Sequence, residues 1–276
     1  MSARLRAGFI GLGSQGGPMA RAVVDAGFPT TLWARRPETL EPYLDTAAVA
    51  AATPRELGAQ CDVLGVCVVA DDDVDAVLRG PEGALAEMAP GSVILVHSTT
   101  RPETCIRLQD DFPALHVLDA PVSGGAHRAA ARSLLVMVGG DVSAFEQVRP
   151  VLETFADPLV HLGPLGSGQR AKLLNNALFT AQIGLSADAF ALARAAGLDT
   201  AGLAAVLRAG SGRSYAAEIV AAAGEDLSAF TANAGALLAK DVGILIALQS
   251  GAETPLLAAA NTALGQLGMR AAGGPA

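Results

Sequence analysis

Ala7-Gly8-Phe9-Ile10-Gly11-Leu12-Gly13-Ser14-Gln15-Gly16 is an apolar run that opens directly into Gly-x-Gly-x-x-Gly, and a helical pattern follows from Gly17 to Ala26. A strand, a glycine turn and a helix in that order make a phosphate-binding corner. Gly11 permits the tight turn, Gly13 lets the backbone approach a pyrophosphate, and Gly16 lets the helix pack close to the strand with its N-terminus aimed at the phosphates. The position of the motif, where a strand ends and a helix begins, separates it from a chance run of glycines. Gly11, Leu12, Gly13, Ser14, Gln15 and Gly16 are therefore the candidate cofactor loop.

Working outward, the first half of the chain alternates strands with helical segments. Strand signals fall at Ala7–Ile10, Thr30–Trp33, Val63–Val69, Ser92–Val96 and His116–Leu118. The unbroken apolar run at Val63–Val69 is expected of a strand covered on both faces. Such alternation argues for a doubly wound parallel Rossmann sheet. A further strand, Leu134–Val138, closed by Gly139-Gly140, is expected to extend that sheet. Beyond Gly163-Pro164-Leu165-Gly166-Ser167-Gly168 the pattern becomes helical, with segments at 169–196, 200–209, 215–223, 234–249 and 254–267. The expected organisation is an α/β chain: a nucleotide-binding Rossmann domain over 1–164 and an all-helical substrate and oligomerisation domain over 165–276, with an irregular tail from Ala271.

Bulk properties narrow the function classes. The 276 residues are 51% apolar and only 4% aromatic, with a net charge of −8. The core must be built from Ala, Val and Leu, and an acidic chain is a poor binder of nucleic acid or anionic membrane. Cys61, Cys67 and Cys105 are odd in number and lack metal-ligand spacing, as expected of reduced structural thiols in a cytoplasmic protein. Met1–Arg6 carries no hydrophobic signal segment. The Ala-rich stretch 179–196 contains Asp188 and Arg194 at helical period, which fits a buried helix rather than a membrane span.

The second strand ends in Leu32-Trp33-Ala34-Arg35-Arg36-Pro37. An NAD-selective site places Asp or Glu there for the ribose 2′-hydroxyl. Two guanidinium groups stand in its place, and a fork of N–H donors suits a 2′-phosphate. The expected cofactor is NADP, with NAD as the second possibility, Arg35 the stronger phosphate candidate and Arg36 stacking on or flanking the adenine.

Four segments carry a resemblance that runs almost end to end: Gly8–Ala20 (GFIGLGSQGGPMA), Asp119–Gly125 (DAPVSGG), Gly166–Asn176 (GSGQRAKLLNN) and Lys240-Asp241. In motif order and content the chain resembles the β-hydroxyacid dehydrogenase family, which includes 3-hydroxyisobutyrate dehydrogenase and semialdehyde reductases and is akin to 6-phosphogluconate dehydrogenase. The resemblance implies hydride transfer between a nicotinamide cofactor and a small 3-hydroxy acid or semialdehyde bound between the two domains. It implies that Ser123 and the Gly124 and Gly125 amides hold the substrate carboxylate. It implies Lys172 as catalytic acid/base, Asn176 as the residue that holds Lys172 and the substrate hydroxyl, and Lys240 at the nicotinamide–substrate region, with Asp241 supporting helix packing. Val68 and Val69 are placed over the cofactor's ribose or pyrophosphate, Thr99 at the nicotinamide side, and Phe230 near the substrate. Lys172 and Asn176 are four apart and share a helix face, whereas Asn175 is expected on the packing side. The family also implies a homodimer or homotetramer.

Departures from the family pattern are Gln15 (commonly Met), His97 in Val96-His97-Ser98-Thr99 (commonly Asp-x-Ser-Thr) and Arg132 (often Gly). His97 is expected to be structural. Three rival readings remain open on the sequence: an imine reductase, a class that generally lacks the lysine; a non-catalytic nicotinamide-binding regulatory protein on the same scaffold; and a larger sugar-phosphate substrate, as in 6-phosphogluconate dehydrogenases, against which the short helical domain and the lack of an extra basic cluster argue.

Overall fold

The computed structural model describes residues 4–224, 226–250 and 252–272. The chain divides into two compact units, Met1–Lys172 and Leu173–Ala276.

In the first unit the central strand β1 (Ala7–Ile10) pairs in parallel with β2 (Thr30–Trp33) on one side and β4 (Val63–Val66) on the other. β3 (Val49–Ala50), β5 (Val93–Val96) and β6 (His116–Asp119) complete a six-stranded parallel sheet in the order β3-β2-β1-β4-β5-β6. That order reverses direction at β1 and β4, where an open α/β sheet forms its ligand crevice. Side chains alternate along each strand. Phe9, Val63, Leu95 and Leu118 enter one core with Met19 and Val23 of α1 (Gly16–Asp25). Ile10, Leu64, Ile94 and Val117 enter the opposite core with residues of α2 (Pro54–Ala59), α3 (Asp71–Arg79) and α4 (Pro102–Asp111). Burial on both faces explains why these strands read as continuous apolar runs.

Two details differ from the sequence reading. The fourth strand stops at Val66 rather than Val69, because the Val68 N–H turns to the Ser98 hydroxyl oxygen at 2.8 Å and Val69 faces solvent. The stretch Leu134–Val138 (β8) does not extend the parallel sheet. It pairs with β7 (Val122–Ser123) and β9 (Ala156–His161) in a separate three-stranded sheet. The turn at Ala120-Pro121 ends β6 and redirects the chain, and an isolated antiparallel bridge, Asp119 to Gly139, links the two sheets. Strand β9 is absent from the sequence reading because it carries Pro158. A proline is tolerated there because β9 is an edge strand whose register slips past Asp157 and Pro158. Short α5 (Gly125–Ala130) and α6 (Val142–Leu152) pack with this sheet.

The long helix α7 (Ser167–Ala195) starts in the first unit and runs into the second. Among the described residues the second unit is otherwise helical: α8 (Thr200–Ala209), α9 (Tyr215–Ala223), a short α10 (Ser228–Phe230), α11 (Ala236–Leu248) and α12 (Pro255–Gln266). Leu173, Ala177 and Ala181 pack against Leu238, Val242, Leu245, Leu257 and Leu264. The stretch Ser228–Leu248 is long and apolar enough to cross a membrane by length and composition alone. Its Leu238, Asp241, Val242 and Leu245 are buried within the helical unit, which marks it as a core helix. Of the tail expected to be irregular, the Ala272 N–H donates to the Ala239 carbonyl, and residues 273–276 lie outside the described residues.

His97 sits at the end of β5 inside the first core. Its Nδ1 lies 2.8 Å from the Ala120 carbonyl oxygen, and its ring stacks on Phe9 and meets the edge of Phe155. Burial pushes its pKa down to about 4. The folded chain therefore binds fewer protons than the unfolded one between that value and about 6.5, so stability is full above that window and falls as pH drops through it. From pH 7 to pH 5 this imidazole alone is expected to remove about 2 kcal/mol. The variant His97→Asn, whose amide can replace the Nδ1–H donor, should lose that much of the pH dependence in urea melts. An identical slope in both proteins would assign the acid sensitivity elsewhere.

Candidate active site

The glycine turn behaves as its spacing requires. Gly11 has φ +94°, the left-handed region, and a Cβ there would run into the Cys67 carbonyl. A Cβ on Gly16 would strike the Gly11 carbonyl oxygen, so only glycine lets α1 start this close to β1. A Cβ on Gly13 would meet nothing within 4 Å, which leaves that backbone open to a ligand. Ser14 and Gln15 form the rest of the turn, with Gln15 in the N-cap position of α1 and making no side-chain cap bond.

Around this turn lies a cavity of about 520 Å³, bordered by Gly11, Leu12, Gly13, Arg35, Arg36 and Val68, with Val69 at its edge. Seven of the residues singled out in the sequence thus border one space, which Trp33 closes from β2, whereas Ser14, Gln15 and Gly16 do not line it. The arrangement fits a dinucleotide: open glycine backbone at a helix N-terminus for the pyrophosphate, apolar walls, and guanidinium groups at the far rim. Thr99, Ser123, Gly124, Gly125 and Lys172 do not border this cavity.

Ser123 ends β7, and Gly124 (φ +132°) and Gly125 (φ +66°) turn the chain into α5. A Cβ on Gly124 would collide with the Arg128 side chain, whereas Gly125 faces open space. Two glycines are needed here because both residues adopt conformations that L side chains rarely take.

Lys172 is half-buried on the second turn of α7. The start of that helix is held by two side chains whose roles the sequence reading missed. Asp119, fully buried at the end of β6, accepts the Gly166 N–H at 2.7 Å and the Gln169 N–H at 2.6 Å. Its carboxylate caps the helix from a distant strand, with burial pushing its pKa up and these backbone donors pulling it down. Gln169, also fully buried, accepts the Thr100 N–H at 3.1 Å and donates to the Ser98 carbonyl at 2.8 Å. Gln169 therefore ties α7 to the Ser98–Thr100 loop that contains Thr99. Lys172, three positions on, shares its helix face. Both residues stand inside quoted motifs, DAPVSGG and GSGQRAKLLNN, so their positions were visible but not their partners.

In the helical unit, Asn176 donates to Asp241 at 2.6 Å, and Lys240 Nζ lies 3.1 Å from the other Asp241 oxygen. Asn176 and Asp241 are buried, and Asn175 is exposed and donates to Asn176 Oδ1. This reverses the expectation that Asn175 faces the packing side: the helix turn carries Asn176 inward to its carboxylate partner. Phe230 packs edge-on against Phe179, and a π-helical turn at Thr231–Gly235 follows it, before Lys240. Arg132 has φ +56° and pairs with Asp25 of α1. Burial pushes the Cys61 and Cys67 thiols up to about 12, and the Cys105 thiol up as well, so all three stay protonated.

A parallel sheet with a glycine turn beside a cavity of dinucleotide size, followed by a helical unit, is the architecture of nicotinamide-dependent dehydrogenases. Residues 6–163 match the family model for the NAD-binding domain of 6-phosphogluconate dehydrogenase, and residues 166–275 match that for the NAD-binding region of NADP-dependent 3-hydroxyisobutyrate dehydrogenase. The chain belongs to this family of NAD(P)-dependent hydroxyacid dehydrogenases, of the 3-hydroxyisobutyrate dehydrogenase type. It is 35% identical over 262 residues to the NAD-dependent L-serine dehydrogenase of Pseudomonas aeruginosa, covering 90% of this chain and 87% of that protein. Its fold matches the Mycobacterium tuberculosis 3-hydroxyisobutyrate dehydrogenase solved with L-serine, with TM-score 0.83, 29% identity, and coverage of 98% of this chain and 96% of that one. It also matches Psf3, solved with NADP+ and 2-OPP, with TM-score 0.81, 26% identity, and coverage of 94% of this chain and 93% of the other.

Proposed function

We propose that the chain transfers a hydride between NADP and a small 3-hydroxy acid or its semialdehyde, with Lys172 as general acid/base. The observation that carries this reading is the double anchoring of α7 by Asp119 and Gln169, which fixes the helix turn before Lys172 against the end of the sheet where the cofactor cavity opens. A solved relative with bound L-serine, itself a 3-hydroxy acid, supports the substrate class.

In this reading residues 1–164 hold the cofactor, while residues 165–276 contribute to substrate binding and to assembly. The glycine turn receives the pyrophosphate, Arg35 receives the 2′-phosphate, and Arg36 stacks on or flanks the adenine. Val68 and Val69 cover the ribose, and Thr99 meets the nicotinamide side. Ser123 and the Gly124 and Gly125 amides take the substrate carboxylate. When bound, the cofactor supplies the hydride acceptor. Lys172, as the neutral amine, takes the hydroxyl proton as the carbinol carbon loses its hydride, and in the reverse direction its ammonium returns that proton to the carbonyl oxygen. Asp241 orients Asn176, and Lys240 completes the charged group on that side.

Oligomerisation is part of the same proposal. Leu174, Leu178, Leu185 and Leu192 recur along α7 at helical spacing and are each at least half exposed, an apolar stripe suited to a second copy of the chain. A monomeric mass by light scattering at micromolar concentration would overturn a homodimer or homotetramer.

The test of function is nicotinamide absorbance with a panel of small 3-hydroxy acids, L-serine among them, and their semialdehydes, using NADP(H) and NAD(H). Turnover on at least one pair with a preference for NADP(H) is expected. Tight cofactor binding without turnover on any pair would overturn the dehydrogenase reading for this chain.

A further inference from the structure

The run Asp71-Asp72-Asp73 opens α3 just beyond the loop that carries Val68 and Val69. Acidic residues in a first helical turn are ordinary, since they meet the positive end of the helix dipole. The three nevertheless have different surroundings. Asp71 is committed to α4: it accepts the Arg101 N–H at 3.0 Å and the Thr104 hydroxyl at 2.5 Å. Asp72 faces solvent. Asp73 borders the cofactor cavity, and its carboxylate lies 3.7 Å from the Arg35 guanidinium, which borders it from the other side. The strand end that lacks an acidic residue is thus answered by one from the first turn of α3.

We propose that Asp73 sets the cofactor preference by competing with a 2′-phosphate for Arg35. The pair is long and the Arg35 side chain is 82% exposed, so the contact is weak and Arg35 can leave it. A 2′-phosphate engages the guanidinium only by drawing it from Asp73, and then sits beside an uncompensated carboxylate. A 2′-hydroxyl meets neither cost. Asp73 therefore weakens NADP binding selectively and keeps NAD usable at a site whose arginines favour NADP.

The inference rests on the reading of Arg35 as a phosphate ligand, and the experiment separates the two. Trp33 is the single tryptophan and borders the cavity, so its fluorescence reports occupancy. NADP+ and NAD+ are titrated into the parent protein, Asp73→Asn, Arg35→Ala and the double variant, with Asp73→Ser as a second replacement that retains a good first-turn residue. Asp73→Asn is expected to tighten NADP+ about threefold to tenfold and to leave NAD+ within about twofold. In the Arg35→Ala background the same change should leave NADP+ within about twofold, because the competition has lost its object. An unchanged NADP+ to NAD+ ratio in both Asp73 variants, with NADP+ weakened in Arg35→Ala, overturns the role of Asp73 alone. An equal gain with and without Arg35 replaces competition by a long-range charge effect and overturns it too. NADP+ binding untouched by Arg35→Ala overturns the phosphate-ligand reading itself.

Discussion

Lys172→Ala is expected to lower kcat by about a thousandfold while the affinity for NADP stays within about twofold. A proton must leave the substrate hydroxyl as the hydride departs, and a positioned base is worth roughly 10² to 10⁴ in rate. Lys172 lies three residues beyond Gln169, on the helix start that Asp119 and Gln169 fix, so its Cα is held by those two residues rather than by its own side chain. Truncation should therefore remove the amine without shifting the helix. The cofactor cavity is bordered by other residues, which is why binding should survive. Lys172→Arg is expected to be nearly as slow, because a guanidinium stays protonated and cannot serve as base. Steady-state rates together with NADP titration check both. Turnover within about tenfold of the parent in Lys172→Ala would remove this residue from the reaction.

The second large effect concerns the anchor. Asp119→Ala is expected to destabilise the first unit by roughly 3 to 5 kcal/mol, read from urea denaturation. The substitution strands the Gly166 and Gln169 N–H groups in a site without water access, and each orphaned buried donor costs about 1–3 kcal/mol. It also removes the negative charge from the start of a 29-residue helix. Neighbouring glycines leave no room for another residue to substitute: a Cβ on Gly139 would strike an Asp119 oxygen, and one on Gly168 would strike the Met137 carbonyl. Asp119→Asn retains one acceptor oxygen and should lose about half as much. A loss below about 1 kcal/mol in Asp119→Ala would mean that the helix start is held elsewhere.

The glycine turn and the central strands were legible from local rules. The glycine turn can be read because each glycine answers to atoms within the same strand–turn–helix unit or the adjoining strand, and the steric demand repeats wherever the unit occurs. The central strands can be read because burial on both faces removes polar residues from them. The two-residue strands β3 and β7 are too short to carry a period, and β9 hides behind its proline. The anchor was illegible for a different reason. Asp119 bonds to residues 47 and 50 positions away, and Gln169 to residues 69 and 71 positions away, so no window of sequence contains both partners. Asn175 and Asn176 show the same limit on a smaller scale: adjacent amides are chemically alike, and only the position of Asp241 decides which one turns inward.

The placement of the Ser123–Gly125 loop on the small sheet, apart from the parallel ladder, divides labour in a way that bears on how such a chain diversifies. The lysine helix is moored to the ends of β5 and β6, while the proposed carboxylate loop follows β7 and leads into short, half-exposed α5. On the proposed carboxylate role of that loop, changes around Ala126 to Arg128 are expected to alter substrate preference while leaving the anchor of α7 intact. A laboratory seeking new substrates should randomise that segment first and leave Asp119 and Gln169 fixed, since on this reading the former is expected to tune specificity and the latter to hold the fold.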